Sequence, residues 1–520
     1  MIESHSVRLS DLFAGVEGWR LAGAADVDVH AVCYRSDQAG PGSLFFCVPG
    51  FSRDGHEFAF DAVNRGAVAL CVERLLDLPV AQAVVPSVRA VMGPVAATFY
   101  GHPSRQLMTV GITGTNGKTT SAFLMAHLLE SAGLQSGLMG TVERRVGGRV
   151  LPAGRTTPEA LDIQRDLAQM VREGDQALVM EVSSHALDLG RAAGIDFRAV
   201  AFTNLSQDHL DYHKTLEEYF AAKCRLFLDE EFSAGEPVAV INVADPYGRE
   251  LAARCPSRRV ISLSASKPAP DWGPADMEWS DYRFDRGRTR GTLVLRGRAL
   301  ERLNGSPAGA GDGAEVRLDV ETPLVGAFNV ANTLTALGIG LGLGLDLEAM
   351  VAAAKEFRGV PGRMEGVDAG QDFTVLVDYA HTPDSVRNVL QTARGITQGR
   401  LIAVVGCGGD RDRGKRPLMG REAEVAADLV IVTSDNPRSE DPLAIIADIM
   451  AGLESPGAAR VEPDRRAAIG MAVTEARSGD VVMILGKGHE SGQEFAHETL
   501  PFDDRVVARE ALAALRGREG

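Results

Sequence analysis

The sequence predicts an α/β protein of about three domains, built on parallel sheets. Three observations predict it. Apolar runs of strand length alternate with helix-length stretches over most of the chain, the pattern of strands joined by crossover helices. An apolar content of 45% with 57 glycines fits many tight strand–helix turns. A length of 520 residues is too great for one core, since a domain holds roughly 100–200.

The elements fall into three blocks. Residues 1–105 carry short β-like runs, GSLFFCVPG and VALCVE, broken by Gly and Pro. The block 106–357 opens on LMTVGITGTNGKTT, a strand that enters a glycine loop and then the helix SAFLMAHLLESAG; ALVMEV and AVAFTNL are further strands. Within it LERLNGSPAGAGDGAEV, 300–316, is small and Gly/Ala-rich and is expected as a loose hairpin loop without chemistry. In 358–520 the alternation restarts with FTVLVDYAH, RLIAVVGCGG, DLVIVTSDN and DVVMILGKG. Each is an apolar strand ending in a polar or Gly-rich loop. Open α/β sheets bind ligands at the carboxyl ends of their strands, so every motif is expected there.

Composition excludes several classes. A net charge of −16 argues against a general nucleic-acid binder. It leaves room for phosphate ligands held by amides and a few lysines. Cys33, Cys47, Cys71, Cys224, Cys255 and Cys407 form no C-x-x-C pair. Neither a zinc site nor a disulfide framework is indicated, and reduced cytoplasmic thiols are expected. No basic start followed by an apolar core marks a signal peptide. No run of about 18 apolar residues spans a membrane.

GITGTNGKTT, 111–120, is the strongest local signal. Gly111, Gly114 and Gly117 let backbone amides approach a phosphate, with Thr115 and Asn116 between them. Lys118 neutralises β/γ oxygens, Thr119 reaches Mg²⁺ and Thr120 follows into the helix. The helix offers its positive end to the anion. Ile112 stands where the standard spacing has Gly, so the loop is a variant.

Other motifs follow. MEVSSHALDLGR ends a strand on Glu181, an oxygen ligand suited to Mg²⁺, then gives Ser183, Ser184 and His185. In FTNLSQDHLDYH, His209 and His213 stand four apart, but Leu210 holds the position a zinc-protease motif gives to Glu. A second-metal or phosphate role suits His209 better; His213 either caps a helix or lines a surface. Lys223 in EYFAAKCRLF reads, on its residues alone, as a snorkelling surface lysine. GAFNVANTLTAL carries Asn329 and Asn332, PGRME carries Arg363, and DYAHTPDS carries Asp378 and His381, the aspartate suited to ribose hydroxyls. GCGGDRDRGKRP gathers Arg411, Arg413, Lys415 and Arg416 over a glycine turn, which suits carboxylates or phosphates. GKGHE adds Gly486, Lys487, His489 and Glu490. Last, TSDNPRSEDP sets Arg438 among Asp435, Glu440 and Asp441. It reads either as a solvated turn or as a grip on a group carrying both charges.

These motifs, in this order from about residue 35 to 510, strongly resemble the Mur ligases of peptidoglycan synthesis. The branch that adds diaminopimelate as the third residue is the most similar. The resemblance implies an N-terminal domain (1–105) for the UDP end of the substrate, a central P-loop ATPase-like domain (106–357) and a C-terminal Rossmann-like domain (358–520). It implies a monomeric, ADP-forming ligase working in the cytoplasm on cell-wall precursors that serve cell shape and division. Its substrates would be UDP-MurNAc-L-Ala-D-Glu, meso-diaminopimelate and ATP. The D-glutamyl γ-carboxylate would attack the γ-phosphate, and the amino acid's amine would attack the resulting acyl phosphate.

The resemblance also assigns residues. Gly114, Thr115, Asn116, Gly117, Lys118, Thr119, Thr120, Asn329, Arg363 and Asp378 would bind ATP. Thr119, Glu181, His209 and a carbamate on Lys223 would hold Mg²⁺; Lys118, Glu181, His209 and Lys223 would be catalytic. Ser36, Thr156, Thr157, Ser183 and Arg191 would hold the UDP-dipeptide. Arg411, Asp435, Asn436, Pro437, Arg438, Gly486 and Glu490 would bind diaminopimelate. Arg438 would pair with its distal carboxylate, so that lysine would leave Arg438 unpaired, and Asp435, Asn436 and Glu490 would take the ammonium. Two departures stand out: Arg35-Ser36-Asp37 where relatives often have Asp-Ser-Arg, and Leu189 where many have Gln. A lysine-adding Mur ligase, a folylpolyglutamate synthetase and an ATP-binding regulatory module are the competing readings. The number of strand-end sites in two blocks speaks against the last.

Overall fold

A computed structural model describes residues 6–50, 53–233, 235–266, 272–285, 288–303 and 314–519. The chain forms two compact units: Met1–Thr113 with Gly133–Val200 and Ala222–Ala239, and Gly114–Ala132 with Ala201–Ala221 and Val240–Gly520.

In the first unit a five-stranded sheet runs in the order Arg20–Gly23, Ala81–Val84, Ala67–Val72, Ser43–Phe46, Ala31–Cys33. Only the first pair is antiparallel. Ser43–Phe46 is buried at every residue, so it reads as a continuous apolar run rather than an alternation. The helix Val88–Phe99, capped by Ser87, lays Val88, Met92, Val95 and Phe99 on Leu44, Phe46 and Ala69. The same unit holds the parallel strands Ser136–Met139, Ala177–Glu181 and Met108–Thr113, with Ala177–Glu181 in the middle. Burial along all of Ala177–Glu181 explains why ALVMEV is legible as a strand, and it leaves Glu181 at the carboxyl end.

In the second unit a six-stranded sheet runs Glu365–Gly366, Thr374–Asp378, Val481–Leu485, Leu401–Val405, Leu429–Val432, Arg460–Val461. All pairs but the first are parallel. Side chains alternate between two faces, as strand geometry requires. Leu401, Ala403 and Val405 enter one apolar cluster, and Ile402 and Val404 the other. The last long strand in sequence lies between the first two, so the strand order reverses there, and such a point is where open sheets bind ligands. Local signals set the helices. Thr382 and Ser385 form a capping box ahead of Pro383–Ile396, Asp441 caps Pro442–Met450, and Asp464 caps Arg465–Glu475.

Two expectations need correction or limit. Not every motif ends a strand: Lys223 lies inside the helix Leu216–Leu228, and Asn329 in the first turn of Ala327–Gly342. Residues 304–313 of the expected hairpin loop lie outside the described residues, while the flanking Arg288–Leu295 and Val316–Thr322 pair antiparallel. Among the described residues no helix is long and apolar enough to cross a membrane, and no cysteine forms a disulfide.

Candidate active site

The glycine loop belongs to the second unit from Gly114 onward and is clamped by the segment 203–206. The Thr115 amide donates to the Asn204 carbonyl at 2.9 Å, and the Asn116 amide to Asn204 Oδ1 at 2.9 Å. Thr203 Oγ1 donates to the Asn116 carbonyl at 2.6 Å. Gly114 and Gly117 have φ of +145° and +87°. A Cβ at Gly114 would strike Thr203 Oγ1, and one at Gly117 would strike Asn332 Oδ1. Both glycines are therefore demanded by conformation and by space. Lys118 Nζ donates to the carbonyls of Gly114 (3.0 Å) and Thr115 (2.8 Å), which holds the ammonium across the loop. Thr119 Oγ1 accepts from Arg363 Nη2 at 3.1 Å. The Arg363 guanidinium also lies 4.6 Å from the Tyr379 ring centroid, a cation–π contact.

A cavity of about 210 Å³ opens beside this loop. Asn116, Gly117, Thr120, Asn329, Arg363 and Asp378, six of the predicted nucleotide residues, line it together. Its apolar wall includes Leu324, Phe328, Val360 and Val389. Amides at one end and an apolar slot at the other suit a ligand that is polar along one side and flat on the other. Asn332 Nδ2 donates to Asn329 Oδ1 at 3.0 Å. Asp378 accepts from the amides of Met364 and Ala380, both at 2.7 Å, and burial pushes its carboxyl above the ordinary range.

Beside the loop stands a group that sequence reading missed. Asp208, buried, lies 3.4 Å from His209 Nε2, 3.5 Å from Lys415 Nζ and 3.9 Å from His381 Nε2. Burial works against the Asp208 charge, but His209, Lys415 and His381 outweigh it and hold the carboxyl well below its usual range. Burial, then Lys415, bring His381 down to about 4. His381 Nδ1 bonds the Tyr379 carbonyl at 2.8 Å, so Nδ1 carries the hydrogen. The only signal in sequence was the SQDH order, which gave attention to the histidine alone. His213, expected as a cap or a surface residue, is buried instead, its ring 5.3 Å from that of Tyr219.

In the first unit, Glu181 is 1% exposed. It accepts from the Thr141 amide (2.8 Å) and from Thr141 Oγ1 (3.1 Å), and a side chain at Gly140 would collide with it. Four predicted substrate residues join this network. Thr156 Oγ1 bonds Thr141 Oγ1 at 3.1 Å. Thr157 Oγ1 donates to the Glu181 carbonyl at 2.9 Å, and the Ser183 amide donates back to Thr157 Oγ1 at 3.1 Å. Arg191 Nη1 reaches the Thr157 carbonyl at 3.5 Å, and Nη2 pairs with Glu159 at 3.1 Å. Ser36 is not in that network; it sits in the short turn Ser36–Gln38. Arg35 pairs with Asp37 across it at 2.5 Å. A cavity of about 260 Å³ is lined by Tyr34, Arg144, Arg155, Glu159 and Asp162. Tyr34, Arg144 and Asp162 were not singled out by sequence. Lys223 overturns its surface reading: it is 1% exposed.

The loops of the second unit's sheet settle the reading of TSDNPRSEDP. Thr433, Ser434, Asp435 and Asn436 are all buried, so it is not a solvated turn. None of the three acids near Arg438 in sequence pairs with it. Glu440 takes Arg416 at 2.7 Å and Arg413 at 2.6 Å, and the Arg416 hydrogen bond first of all holds its carboxyl down to about 2. Asp441 caps a helix, and Asp435 sits beside Gly486, whose φ is +114° and where a Cβ would meet Asp435 Oδ2. Arg438 itself, at φ +52°, donates from Nε to Glu494 (2.7 Å) and from Nη1 to the Gly409 carbonyl (2.8 Å). The expectation that a ligand without a carboxylate strands Arg438 is thus corrected: it has two partners already. Arg411 is exposed and donates to the Asp410 carbonyl at 2.9 Å. Left-handed φ at His209, Met364, Asp410 and Arg438 places strained residues in four of these loops.

Three family models match the chain: Mur ligase family, catalytic domain, at 28–103; Mur ligase middle domain at 112–340; and Mur ligase, glutamate ligase domain, at 362–488. Proteins named UDP-N-acetylmuramoyl-L-alanyl-D-glutamate–2,6-diaminopimelate ligase are similar over nearly the whole length. The one from Solibacter usitatus is 44% identical over 94% of this chain and 94% of its own. That from Gloeobacter violaceus is 45% identical over 99% of each. A solved structure of a ligase of the same name has a TM-score of 0.64 at 35% identity, covering 94% of this chain and 95% of that one. The MurF ligase of Thermotoga maritima in complex with ADP shares the fold, with a TM-score of 0.59 at 18% identity over 94% and 97% of the two chains.

Proposed function

The chain belongs to the Mur ligase family, and from that premise we propose that it joins meso-diaminopimelate to the D-glutamate of UDP-MurNAc-L-Ala-D-Glu at the expense of ATP. The similarity of at least 44% to full-length ligases of that name carries the reading. The γ-carboxylate of D-glutamate attacks the γ-phosphorus of ATP, the bond to ADP breaks, and an acyl phosphate forms. The amine then attacks the acyl carbon, and phosphate leaves from the tetrahedral intermediate with the amine's proton lost to solvent. Such chemistry asks the protein for positioning and charge neutralisation.

The clamped loop, Lys118 and the amide-lined cavity support the ATP assignments. The network of Thr156, Thr157, Ser183 and Arg191 supports theirs for the dipeptide. Domain limits of 1–105, 106–357 and 358–520 accommodate the three matched stretches. A monomer in the cytoplasm completes the proposal. Phosphate release measured with each substrate omitted in turn tests it. Release that needs both the UDP-dipeptide and the amino acid is expected; release independent of either would sink the ligase reading.

The residues fit Mg²⁺. Among the described residues no three His, Cys, Asp or Glu gather to hold a metal by themselves. Mg²⁺ does not need them, since it takes one or two carboxylates and completes its shell with phosphate and water. Glu181, Thr119, His209 and a carbamate on Lys223 would hold it, and it would neutralise the phosphates. The fit rests on chemistry present here: oxygen donors in Glu181 and Thr119, and a lysine that is 1% exposed. Lys223→Ala is expected to lower turnover roughly 10²-fold, with formate restoring part of it. An alanine variant at wild-type rate would end the carbamate role.

Amino-acid choice is assigned to Arg438. Because Glu494 and Gly409 keep it satisfied, the gain from a distal carboxylate is one charged hydrogen bond, about 1.5–3 kcal/mol. Arg438→Ala should cut the preference for meso-diaminopimelate over L-lysine by about 10- to 150-fold, read from kcat/KM in a two-substrate panel. An unchanged ratio would remove Arg438 from the selection.

A further inference from the structure

The groups assigned to the substrate's ammonium are already engaged by an internal one. Lys487 is 0% exposed. Its Nζ donates to Asn436 Oδ1 at 2.7 Å and to Glu490 Oε2 at 3.1 Å, and lies 3.9 Å from Asp435 Oδ1. Asn436 Nδ2 donates to the same Glu490 oxygen at 2.7 Å, and Asn436 Oδ1 also accepts from the Glu494 amide at 3.0 Å. The amide's orientation is therefore fixed by three partners, Lys487, Glu490 and the Glu494 amide. The neighbouring charges are otherwise matched. Arg465 is paired with Asp504, and Arg438 with Glu494. Asp435 and Glu490 thus share one lysine as ion-pair partner, while Arg465 acts on both from farther away.

We propose that Lys487 is a specificity-determining residue: it cancels one of the two carboxylate charges of Asp435 and Glu490, so that the pocket takes a single ammonium from the incoming amino acid. The proposal rests on the ligase reading. Physically, two desolvated carboxylates without a cation would not both stay ionised. One internal cation faces both carboxylates and aims the Asn436 amide, and their remaining oxygens are left for a ligand's ammonium. Burial, and then the Asp435 carboxylate, push the Glu490 carboxyl upward, while Lys487 draws it down. Lys487 and Arg438 would then divide the zwitterionic end of the substrate, one setting the ammonium side and the other the carboxylate side.

The test uses the full chain and steady-state phosphate release with UDP-MurNAc-L-Ala-D-Glu, ATP and meso-diaminopimelate each varied. Lys487→Met keeps the stem and removes the charge. It is expected to raise the KM for diaminopimelate at least tenfold while the KM for ATP stays within twofold. Lys487→Ala is expected to behave alike and to regain at least threefold with n-propylammonium, whose length matches the missing atoms, but not with n-propanol or sodium at the same concentration. A methionine variant with wild-type KM for diaminopimelate overturns the role. So does an equal rise in all three KM values without rescue, which marks packing alone, and so does misfolding of both variants by circular dichroism. Wild-type release that ignores the amino acid overturns the ligase reading instead, which keeps the two failures apart.

Discussion

Replacing Lys118 by alanine lowers ATP-dependent turnover about 10³-fold or more. The magnitude follows from what the side chain would neutralise. Losing one preorganised hydrogen-bond donor at a developing charge costs about 10²–10³ in rate, and losing a full cation on a transferring phosphoryl group costs about 10³–10⁵. The loop itself should survive. Its shape rests on bonds from Thr115 and Asn116 to Asn204 and from Thr203 to Asn116, and none of these involves Lys118. The lost contacts include the bonds to the Gly114 and Thr115 carbonyls. Unfolding therefore does not explain the loss, and melting temperature measured beside phosphate release separates the two. Arginine at this position should not restore the rate, because a planar fork does not replace a compact ammonium between two carbonyls. An alanine variant within tenfold of wild type would take this loop out of the mechanism.

What the sequence disclosed follows from distance along the chain. VALCVE, ALVMEV and RLIAVV are buried on both faces, so their composition alone reads as strand. Their carboxyl ends carry the glycines and charges of the site, and these too are local signals. Partnerships were not legible. Asn116 bonds Asp384, 268 positions away, and Tyr34 bonds Asp162, 128 away. The acids beside Arg438 in sequence belong to other partners in space, and its own acid, Glu494, lies 56 positions on. Lys223 looked like a surface lysine because burial of a long side chain depends on elements that are remote in sequence. Arg465 gave no signal at all: in EPDRRAAIG it follows the cap Asp464 like any charged first-turn residue.

That arginine carries the second large effect: Arg465→Met and Asp504→Leu, made singly, should each cost about 3–5 kcal/mol in stability. Both side chains are 0% exposed. Arg465 donates from Nε to Asp504 Oδ1 at 2.8 Å and from Nη2 to Oδ2 at 2.6 Å, the bidentate geometry that suits a desolvated pair. Removing Arg465 leaves Asp504 buried without its cation, and removing Asp504 leaves Arg465 with only the more distant Asp435 and Glu490 carboxylates, and that penalty exceeds the loss of the pair itself. The double variant should therefore recover most of the loss, because two apolar side chains desolvate without cost. It should not recover all of it. Arg465 also donates to the carbonyls of Leu485 (3.0 Å) and Ser434 (3.3 Å), the residues from which the GKGHE and SDNPR loops depart. Each stranded carbonyl costs about 1–3 kcal/mol, and the loops lose a common brace. Denaturant titration of the full chain, with hydrogen exchange on Leu429–Val432 and Val481–Leu485 as the local readout, gives the cycle. The same double variant should keep a raised KM for the amino acid even where its stability returns. Single variants that cost under 1 kcal/mol, or a double variant that costs the sum of both, would show that the pair is not coupled and that the loops are held by something else.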